Sequence, residues 1–488
     1  MVSVAVVGTG FGGIGMAARL LRAGTTDLVL FEKDRDVGGV WRDNTYPGAA
    51  CDVPSALYSF SFAPQSAWSR RFAGQAEIHD YLRRVAREQG VLPHVRFGVE
   101  VLSATFDEAR GRWRLQLSTG DEHEADVLVA ACGQLSRPAF PALPGLESFA
   151  GRAFHSARWD HGHDLHGRRV GVLGTGASAI QLVPEIVPQV AALTLFQRTA
   201  PYVVHKPDRV HGPRRRAVFS RVPGLQSADR LRTYVTNELR SLGFNTEPRL
   251  MKGLEVRFRR YLATQVREPG LRAALTPTDP LGCKRILQSN DWYPALTRPH
   301  VRVVTDRVVR VEPRGPVTAD GTVHEVDTLV LATGFTATDL LVPMQVTGRG
   351  GRTLAQAWEQ GAEAHLGTVV SGFPNLFVLY GPNTNLGHNS IVLMLEAQFR
   401  YVLQAVRHLQ RHGGWMDVRP QVQAAYNDEL QRRLRGTVFA GGCRSWYLTA
   451  SGRNTQNWPG STLEFRLRVR RLRLADFALA PAREPVPA

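Results

Sequence analysis

Two glycine-rich loops constrain the fold of this chain more than any other feature. Residues 8–13 read G-T-G-F-G-G and residues 174–179 read G-T-G-A-S-A, and each loop follows an apolar strand pattern and precedes a helical one. Glycine spacing alone is a weak signal, but this context is the one that a dinucleotide-binding βαβ unit requires. The glycines allow a tight turn, and the helix N-terminus presents free N–H groups to a pyrophosphate. We therefore predict two such units.

The residue that ends the second strand of each unit indicates which dinucleotide binds there. In the first unit this residue is Glu32, whose carboxylate can accept hydrogen bonds from both ribose hydroxyls, as in FAD or NAD. In the second unit Arg198 and Thr199 follow the strand, and a guanidinium pairs well with the 2′-phosphate of NADPH. One FAD and one NADPH are the expected cofactors. The loop residues expected to contact them are Gly8, Gly10, Gly13, Gly174, Thr175, Gly176, Ala177, Ser178 and Ala179.

The order of the predicted elements gives the domain organisation. Strand patterns that alternate with helical ones predict an α/β fold with two doubly wound, Rossmann-like domains, the NADPH domain being inserted into the FAD domain. Residues 205–275 have a helical period and no nucleotide motif, so they are predicted to form a helical insertion. The predicted ranges are 1–140 and 331–477 for the FAD domain, 141–204 and 276–330 for the NADPH domain, and 478–488 for a flexible Ala/Pro-rich tail.

Charge and hydropathy exclude some classes of function. The 60 lysines and arginines outnumber the 43 aspartates and glutamates, which gives a net charge of +17. The basic residues are nearly all arginines and are spread along the chain. Because no nucleic-acid-binding motif accompanies it, this charge favours anionic cofactors over nucleic acid. The apolar runs are of strand length and no basic, cleavable leader is recognisable, so we expect a cytoplasmic protein without a membrane span. The oligomeric state stays open.

Cysteines and histidines give no sign of a metal or of a disulfide framework. Cys51, Cys132, Cys283 and Cys443 are scattered, and no C-x-x-C motif occurs. Histidines stand at positions 161, 163 and 166, but no cysteine or carboxylate pair completes a metal site. We therefore expect neither a bound metal nor a disulfide framework.

A third motif lies between the two glycine loops. Residues 149–160 fit the pattern F-x-G-x-x-x-H-x-x-x-W-D, which resembles the fingerprint of type I Baeyer–Villiger monooxygenases. The related N- and S-oxygenating flavin monooxygenases usually carry tyrosine at the position of the tryptophan. We expect these residues to hold the interdomain segment rather than to contact substrate. The fingerprint residues are Phe149, Gly151, His155, Trp159 and Asp160.

The resemblance extends over nearly the whole chain and implies further cofactor contacts. Residues 282–285 resemble the family segment whose lysine contacts the NADP phosphate and whose arginine faces the flavin, here Lys284 and Arg285. Residues 332–334 match the family's ATG linker, and Trp446 stands where a tryptophan packs over the nicotinamide nucleotide. A segment similar to the family's flavin-contacting loop implies flavin contacts for Gly39, Val40, Trp41, Asp52 and Tyr58.

The resemblance also implies a reaction. NADPH reduces FAD, O₂ adds to form a C4a-peroxyflavin, and the peroxide attacks a ketone to give an ester or lactone. Arg285 is the expected catalytic cation, because arginine keeps its proton and can stabilise a developing negative charge. Asp52 is expected to hold Arg285 in place. Residues 453–459 depart from the better-known cycloketone enzymes, so their substrates are not carried over to this chain.

Three alternatives have less support. An N- or S-oxygenating flavin monooxygenase is disfavoured by Trp159 and by the Asp52 and Arg285 pair. A pyridine-nucleotide disulfide reductase would need a closely spaced cysteine pair that this chain lacks. A non-enzymatic flavoprotein would have no use for Arg198 together with Lys284. The ketone substrate, its regiochemistry and the pathway stay open.

Overall fold

A computed structural model describes residues 2–241, 249–443 and 445–481 of the chain. Its strands are β1 (Val4–Val7), β2 (Leu28–Glu32), β3 (Val95–Phe97), β4 (Val101–Asp107), β5 (Arg112–Leu117), β6 (Glu122–Ala125), β7 (Val127–Ala130), β8 (Arg152–His155), β9 (Arg169–Leu173), β10 (Ala192–Phe196), β11 (Val203–Val204), β12 (Leu287–Gln288), β13 (Val301–Val304), β14 (Val308–Glu312), β15 (Gly315–Thr318), β16 (Thr328–Leu331), β17 (Gln345–Thr347), β18 (Leu376–Val378), β19 (Trp415–Val418) and β20 (Phe477–Ala480). Its helices are α1 (Phe11–Arg22), α2 (Val40–Asp43), α3 (Gln75–Glu88), α4 (Ala179–Ile186), α5 (Pro213–Arg221), α6 (Leu225–Ser241), α7 (Arg249–Gln265), α8 (Pro269–Ala274), α9 (Trp292–Leu296), α10 (Leu354–Ala357), α11 (Ile391–His412), α12 (Pro420–Arg435) and α13 (Thr462–Arg468).

The first glycine loop lies at the carboxyl edge of a five-stranded parallel sheet. The strand order is β18-β7-β1-β2-β3, so β1 is central. Strand β1 is apolar throughout and almost fully buried, as expected for a strand covered on both faces. The chain leaves β1 toward β2 on one side, while β7 pairs on the other. The β1–α1 loop therefore lies at a topological switch point, where open α/β sheets bind ligands.

A second five-stranded parallel sheet carries the second glycine loop. Its order is β13-β10-β9-β16-β8, and the loop follows its central strand, β9. All five strands come between β7 and β18 along the chain, so this unit is inserted into the first. The predicted α/β fold with two Rossmann-like units is confirmed. Two of the predicted domain boundaries differ from the strand bounds, at β16 and at β20, and the other boundaries stay predictions.

Strand β16 and the C-terminal strand correct two of the predicted boundaries. Leu331 pairs with both His155 and Leu173, so the inserted sheet ends one residue after the predicted boundary at 330. Residues 478–480, predicted as part of the tail, belong to β20, which pairs antiparallel with β19. Phe477 is buried at the start of β20 and anchors it, a contact that Ala/Pro-rich composition does not reveal. Residues 482–488 of the predicted tail lie outside the described residues.

The predicted helical insertion consists of helices in its described part. Helices α5, α6, α7 and α8 lie within residues 205–275, whereas residues 242–248 are outside the described residues. Helix α7 packs against the inserted unit through two aromatic contacts, Phe258 with Tyr202 at 4.8 Å and Tyr261 with Tyr293 at 6.1 Å between ring centroids. None of the described helices is both long and apolar enough to cross a bilayer.

Asp417 in β19 makes the stability of the fold depend on pH. Burial raises the pKa of this carboxyl to about 6, and the hydrogen bond from the Gly372 N–H and the Arg349 guanidinium offset only part of that effect. A carboxyl with a raised pKa holds a proton in the folded state that the unfolded state has released. The protonated carboxyl therefore stabilises the fold below about pH 4, and this contribution is lost as the pH rises through about 6. The loss lowers the free energy of unfolding by about 3 kcal/mol.

We expect Asp417→Asn to raise the melting temperature at about pH 8 and to change it little at about pH 4. The asparagine side chain can still accept the Gly372 N–H but carries no charge to bury. Thermal unfolding at several pH values measures this effect. Asp80→Asn on the exposed face of α3 is the control. Equal effects of Asp417→Asn at both pH values would contradict the prediction.

Candidate active site

The first glycine loop leaves space and free donors for a phosphate group. A Cβ atom on Gly13 would overlap the carbonyl oxygen of Gly8, so the helix can approach the strand only because residue 13 lacks a side chain. Gly10, the N-cap of α1, provides no side-chain hydrogen bond to the first helical turn. The N–H groups of that turn are thus available to an anion. This geometry fits the pyrophosphate of FAD.

Replacement of Gly13 by alanine is expected to prevent FAD binding. The added methyl group forces the β1–α1 turn open, because its neighbour is backbone and cannot rotate away. The ratio of flavin absorbance to protein absorbance after purification measures the effect, and circular dichroism shows whether the variant folds. Gly253→Ala in α7, where a Cβ meets nothing within 4 Å, is the matched control. Full flavin content in folded Gly13→Ala would contradict the interpretation of this loop.

Glu32 ends β2 directly beside the first loop, as the sequence predicts. Its carboxylate accepts hydrogen bonds from the Thr9 N–H at 3.1 Å and the Thr9 hydroxyl at 2.6 Å. It also forms an ion pair of 3.0 Å with Arg42, a partner that the sequence did not indicate. These contacts fix a buried carboxylate at the loop, where it can accept hydrogen bonds from a ribose.

Aromatic side chains surround the first turn of α1. The Trp41 indole N–H donates to the Tyr58 hydroxyl at 3.1 Å, and Tyr58 contacts Phe11 edge-on with ring centroids 4.9 Å apart. Gly39 lies beside Gly10, and Val40 begins the short helix α2. The structure therefore brings the predicted flavin-loop residues together with the first glycine loop.

The second glycine loop has the same form. Gly174 has φ +113, a conformation that favours glycine, and a Cβ there would clash with the carbonyl oxygen of Ala332. Gly176 and Ala177 are exposed, whereas Ala179 is buried at the start of α4. Ser178, the N-cap of α4, makes no capping hydrogen bond. The N-terminus of α4 is thus open to an anionic ligand in the same way as that of α1.

Three predicted NADPH residues meet beside this loop. The Lys284 ammonium donates to the Thr199 hydroxyl at 3.1 Å and forms an ion pair of 2.6 Å with Asp279. The Thr175 hydroxyl donates to the Thr199 carbonyl oxygen at 3.1 Å. Arg198 is exposed next to Thr199. Two cations therefore lie beside the end of β10, where a 2′-phosphate would need them.

Arg285 and Asp52 form an ion pair between the two units, 233 residues apart in the chain. The Arg285 Nη2 and Nε atoms lie 2.6 and 3.0 Å from the same carboxylate oxygen of Asp52. The Asp52 carboxylate raises the pKa of Arg285 above the already high value usual for arginine. Burial alone would raise the pKa of Asp52, but the Arg285 guanidinium and its hydrogen bonds hold it below its usual value. Both side chains therefore stay charged over the physiological pH range.

Two tyrosines near Arg285 were missed by sequence analysis. Tyr447 and Tyr380 both raise the pKa of Arg285 electrostatically, and burial raises the pKa of Tyr447 to about 12. The Tyr380 hydroxyl donates to Asn385 at 2.9 Å, and Asn385 donates to Asn457 at 3.1 Å. Trp446 packs on Tyr447 with ring centroids 4.5 Å apart. The departing segment 453–459 is thereby connected to the surroundings of Arg285.

Gln181, also missed, joins the two cofactor units. Its side-chain oxygen accepts from the Tyr46 hydroxyl at 2.9 Å, and its side-chain nitrogen donates to the Ala50 carbonyl oxygen at 2.9 Å. Gln181 lies on α4 of the inserted unit, whereas Tyr46 and Ala50 precede Asp52. This contact positions the Asp52 segment against the second glycine loop. A glutamine in the first turn of a helix carries no sequence signal for such a role.

Comparison with known proteins identifies the family. The family model described as flavin-binding monooxygenase-like matches residues 2–243. A Baeyer–Villiger monooxygenase of Streptomyces coelicolor is 47% identical over 99% of this chain and 93% of its own length. A second one, of Pseudomonas aeruginosa, is 46% identical over 98% of this chain and 91% of its own length. The chain belongs to the type I Baeyer–Villiger monooxygenases.

A solved structure agrees with this assignment and with the cofactors. A crystal structure of OTEMO in complex with FAD and NADP superposes on this Baeyer–Villiger monooxygenase with a TM-score of 0.88. The two are 26% identical, and the match covers 98% of this chain and 99% of the other. The predicted cofactors, FAD and NADPH, are confirmed. The predicted roles of single residues stay predictions.

The fingerprint of this Baeyer–Villiger monooxygenase lies at the edge strand of the inserted sheet. His155 is buried, and its Nδ1 accepts the Ala157 N–H at 3.0 Å. Trp159 contacts Phe154 edge-on at 5.1 Å between ring centroids, and Asp160 forms an ion pair of 2.7 Å with Arg152. The two remaining fingerprint residues, Phe149 and Gly151, pack together so closely that a Cβ on Gly151 would overlap the Phe149 ring. All of these contacts lie within residues 149–160, and the role of the fingerprint in holding the interdomain segment stays a prediction.

The cysteines of this Baeyer–Villiger monooxygenase include one pair that the sequence did not indicate. Cys283 and Cys443 form a disulfide with their Cα atoms 6.2 Å apart, within the range usual for such bonds. The sequence argued against a disulfide framework because the cysteines are scattered, and this single bond joins residues 160 positions apart. Folding brings them together, which no local pattern reveals. Cys51 and Cys132 are free.

Proposed function

We propose that this enzyme uses NADPH and O₂ to convert a ketone into an ester or lactone, with Arg285 as its catalytic cation. The observation that carries this proposal is the Arg285–Asp52 ion pair between the two cofactor units. FAD, when bound, supplies the redox chemistry between NADPH and O₂. The protein has to orient the reactants and stabilise the charge that develops on them.

Arg285 is suited to hold a permanent positive charge beside the reacting atoms. Its guanidinium keeps its proton because Asp52 raises its pKa, so it cannot act as an acid that quenches a negatively charged nucleophile. Its remaining N–H groups can donate to the carbonyl oxygen of a ketone as negative charge develops there. Asp52 accepts two N–H groups of the guanidinium through one oxygen, which fixes the plane of the guanidinium.

The neighbouring residue, Lys284, is proposed to face the other cofactor. Lys284 donates to Thr199 of the inserted unit, whereas Arg285 pairs with Asp52 of the first unit. Two consecutive residues thus connect to the two units. We assign Lys284, Thr199 and Arg198 to the 2′-phosphate of NADPH, and this assignment supports a cytoplasmic location, where NADPH is supplied.

A substrate panel tests the proposal. Purified holoenzyme is incubated with NADPH in air and with linear, cyclic and polycyclic ketones, and in parallel with sulfides and tertiary amines. Ester or lactone formation from at least one ketone is the expected result. Oxidation of sulfides or amines with no ester from any ketone would instead assign N- or S-oxygenation. Asp52→Ala is expected to reduce ester formation while FAD is retained.

A further inference from the structure

We propose that Cys283 and Cys443 form a reversible thiol–disulfide modification site that controls NADPH use. The bond connects two segments that each adjoin a proposed cofactor residue, so the inference rests on the proposed function for its consequence, although not for its chemistry. Cys283 immediately precedes Lys284 and Arg285. Cys443 stands three positions before Trp446.

The disulfide connects the segment around Cys443, in the first unit, to the segment that carries Lys284 and Arg285. Lys284 reaches the second glycine loop through Thr199, and Arg285 is within electrostatic reach of Tyr447. Trp446 remains 37% exposed, although Tyr447 beside it is buried. With the bond closed, the backbone that carries Trp446 cannot move away from Lys284. With the bond open, this restraint on the two segments is lost.

The surrounding contacts are of a kind that allows such a movement. Close to the disulfide, Gly441 and Gly442 precede Cys443, and Gly442 has φ +79. A Cβ on Gly441 would meet the Cys283 side chain, and a Cβ on Gly282 would meet Val438, so the two segments pack closely through apolar groups. The backbone N–H groups of Gly441 and Cys283 donate within their own segments, to Val438 and Pro280. Segments that meet through apolar contacts separate locally more easily than segments joined by a hydrogen-bonded network. Cys443 is 6% exposed and Cys283 is fully buried, so Cys443 is the sulfur that a small oxidant reaches first.

The chemistry requires an oxidant and a reductant, both of known class. The Cys443 thiol releases its proton, the thiolate sulfur attacks one oxygen of hydrogen peroxide, and the O–O bond breaks. The products are a sulfenic acid and a hydroxide, and the hydroxide takes up the released proton to give one water. The Cys283 thiol then attacks that sulfur, the S–S bond forms, and a second water leaves. A dithiol of the thioredoxin type reverses the step by thiol–disulfide exchange and becomes a disulfide itself. Disulfides of proteins in the cytosol are usually transient and regulatory, in agreement with this cycle.

Mass spectrometry and NADPH kinetics on the holoenzyme test the proposal. The enzyme is reduced with dithiothreitol, desalted and exposed to hydrogen peroxide, and free thiols are then alkylated before digestion without reductant. A peptide pair joined through Cys283 and Cys443 is expected in the peroxide sample and not in the reduced one. NADPH oxidation, followed by absorbance, is expected to show a several-fold higher KM for NADPH in the reduced enzyme.

Variants separate this site from the other thiols. Cys443→Ser is expected to have the KM for NADPH of the reduced enzyme, and peroxide is expected to leave that KM unchanged. Cys283→Ser gives a second test if the first variant does not fold. Cys132→Ser is expected to respond to peroxide as the parent enzyme does. The proposal is overturned if peroxide yields no joined peptide pair, or if closing the bond leaves the KM for NADPH unchanged. Because the joined peptide forms whether or not a ketone is oxidised, its absence is distinguishable from failure of the proposed function.

Discussion

Arg285→Ala is expected to lower the rate of ester formation by on the order of 10²–10³. The variant removes the only guanidinium that pairs with Asp52 among the described residues, and with it the positive charge that we propose to lie next to the reacting atoms. It also leaves the Asp52 carboxylate without its partner, which opposes a developing negative charge. Product formation measured by gas chromatography, alongside NADPH consumption, separates loss of chemistry from loss of cofactor reduction.

Two further variants show whether the effect is specific. Arg285→Lys keeps a positive charge but has one donor nitrogen where arginine uses two, Nε and Nη2, so an intermediate rate is expected. Arg310→Ala, on an exposed arginine paired with Glu312, is the matched control and should leave the rate unchanged. An Arg285→Ala enzyme that binds FAD and forms ester at the parent rate would remove the proposed catalytic role.

Arg198→Ala and Lys284→Ala are expected to weaken the use of NADPH by about 10- to 100-fold in kcat/KM, which corresponds to one charged hydrogen bond of about 1.5–3 kcal/mol. The same changes should affect NADH much less, because NADH has no 2′-phosphate for these cations. Steady-state kinetics with both nucleotides measures the ratio of the two effects.

A lysine elsewhere provides the control for this pair. Lys252→Ala, on the exposed surface of α7, should leave both nucleotides unaffected. If Arg198→Ala and Lys284→Ala lower kcat/KM equally for NADPH and NADH, these residues do not bind the 2′-phosphate. Other residues near the second glycine loop would then have to account for any preference for NADPH over NADH.

Local features of the site could be predicted from the sequence because local rules determine them. Gly8, Gly13 and Glu32 lie within a single βαβ unit, and the spacing of strand, turn and helix fixes where their atoms go. The missed strand β20 has a different origin. Its pairing with β19, rather than its local composition, makes residues 477–480 a strand.

Contacts between distant residues could not be predicted from local rules. The Arg285–Asp52 pair was expected only because of the family resemblance, since no spacing rule connects residues 233 positions apart. No motif or spacing in the sequence indicates the contacts of Gln181, of Tyr380 or of the disulfide partners. Their side chains are common in ordinary helices and loops, and only the packing of the two units gives them their partners.

The most direct test of the central claim is the origin of the oxygen atom in the product. Holoenzyme, NADPH and a ketone that is accepted in the panel are incubated under ¹⁸O₂, and the ester is analysed by mass spectrometry. We predict one labelled oxygen, located between the migrating carbon and the carbonyl carbon. An ester without label, or label that enters from ¹⁸O-water instead, would contradict the proposed oxygen insertion.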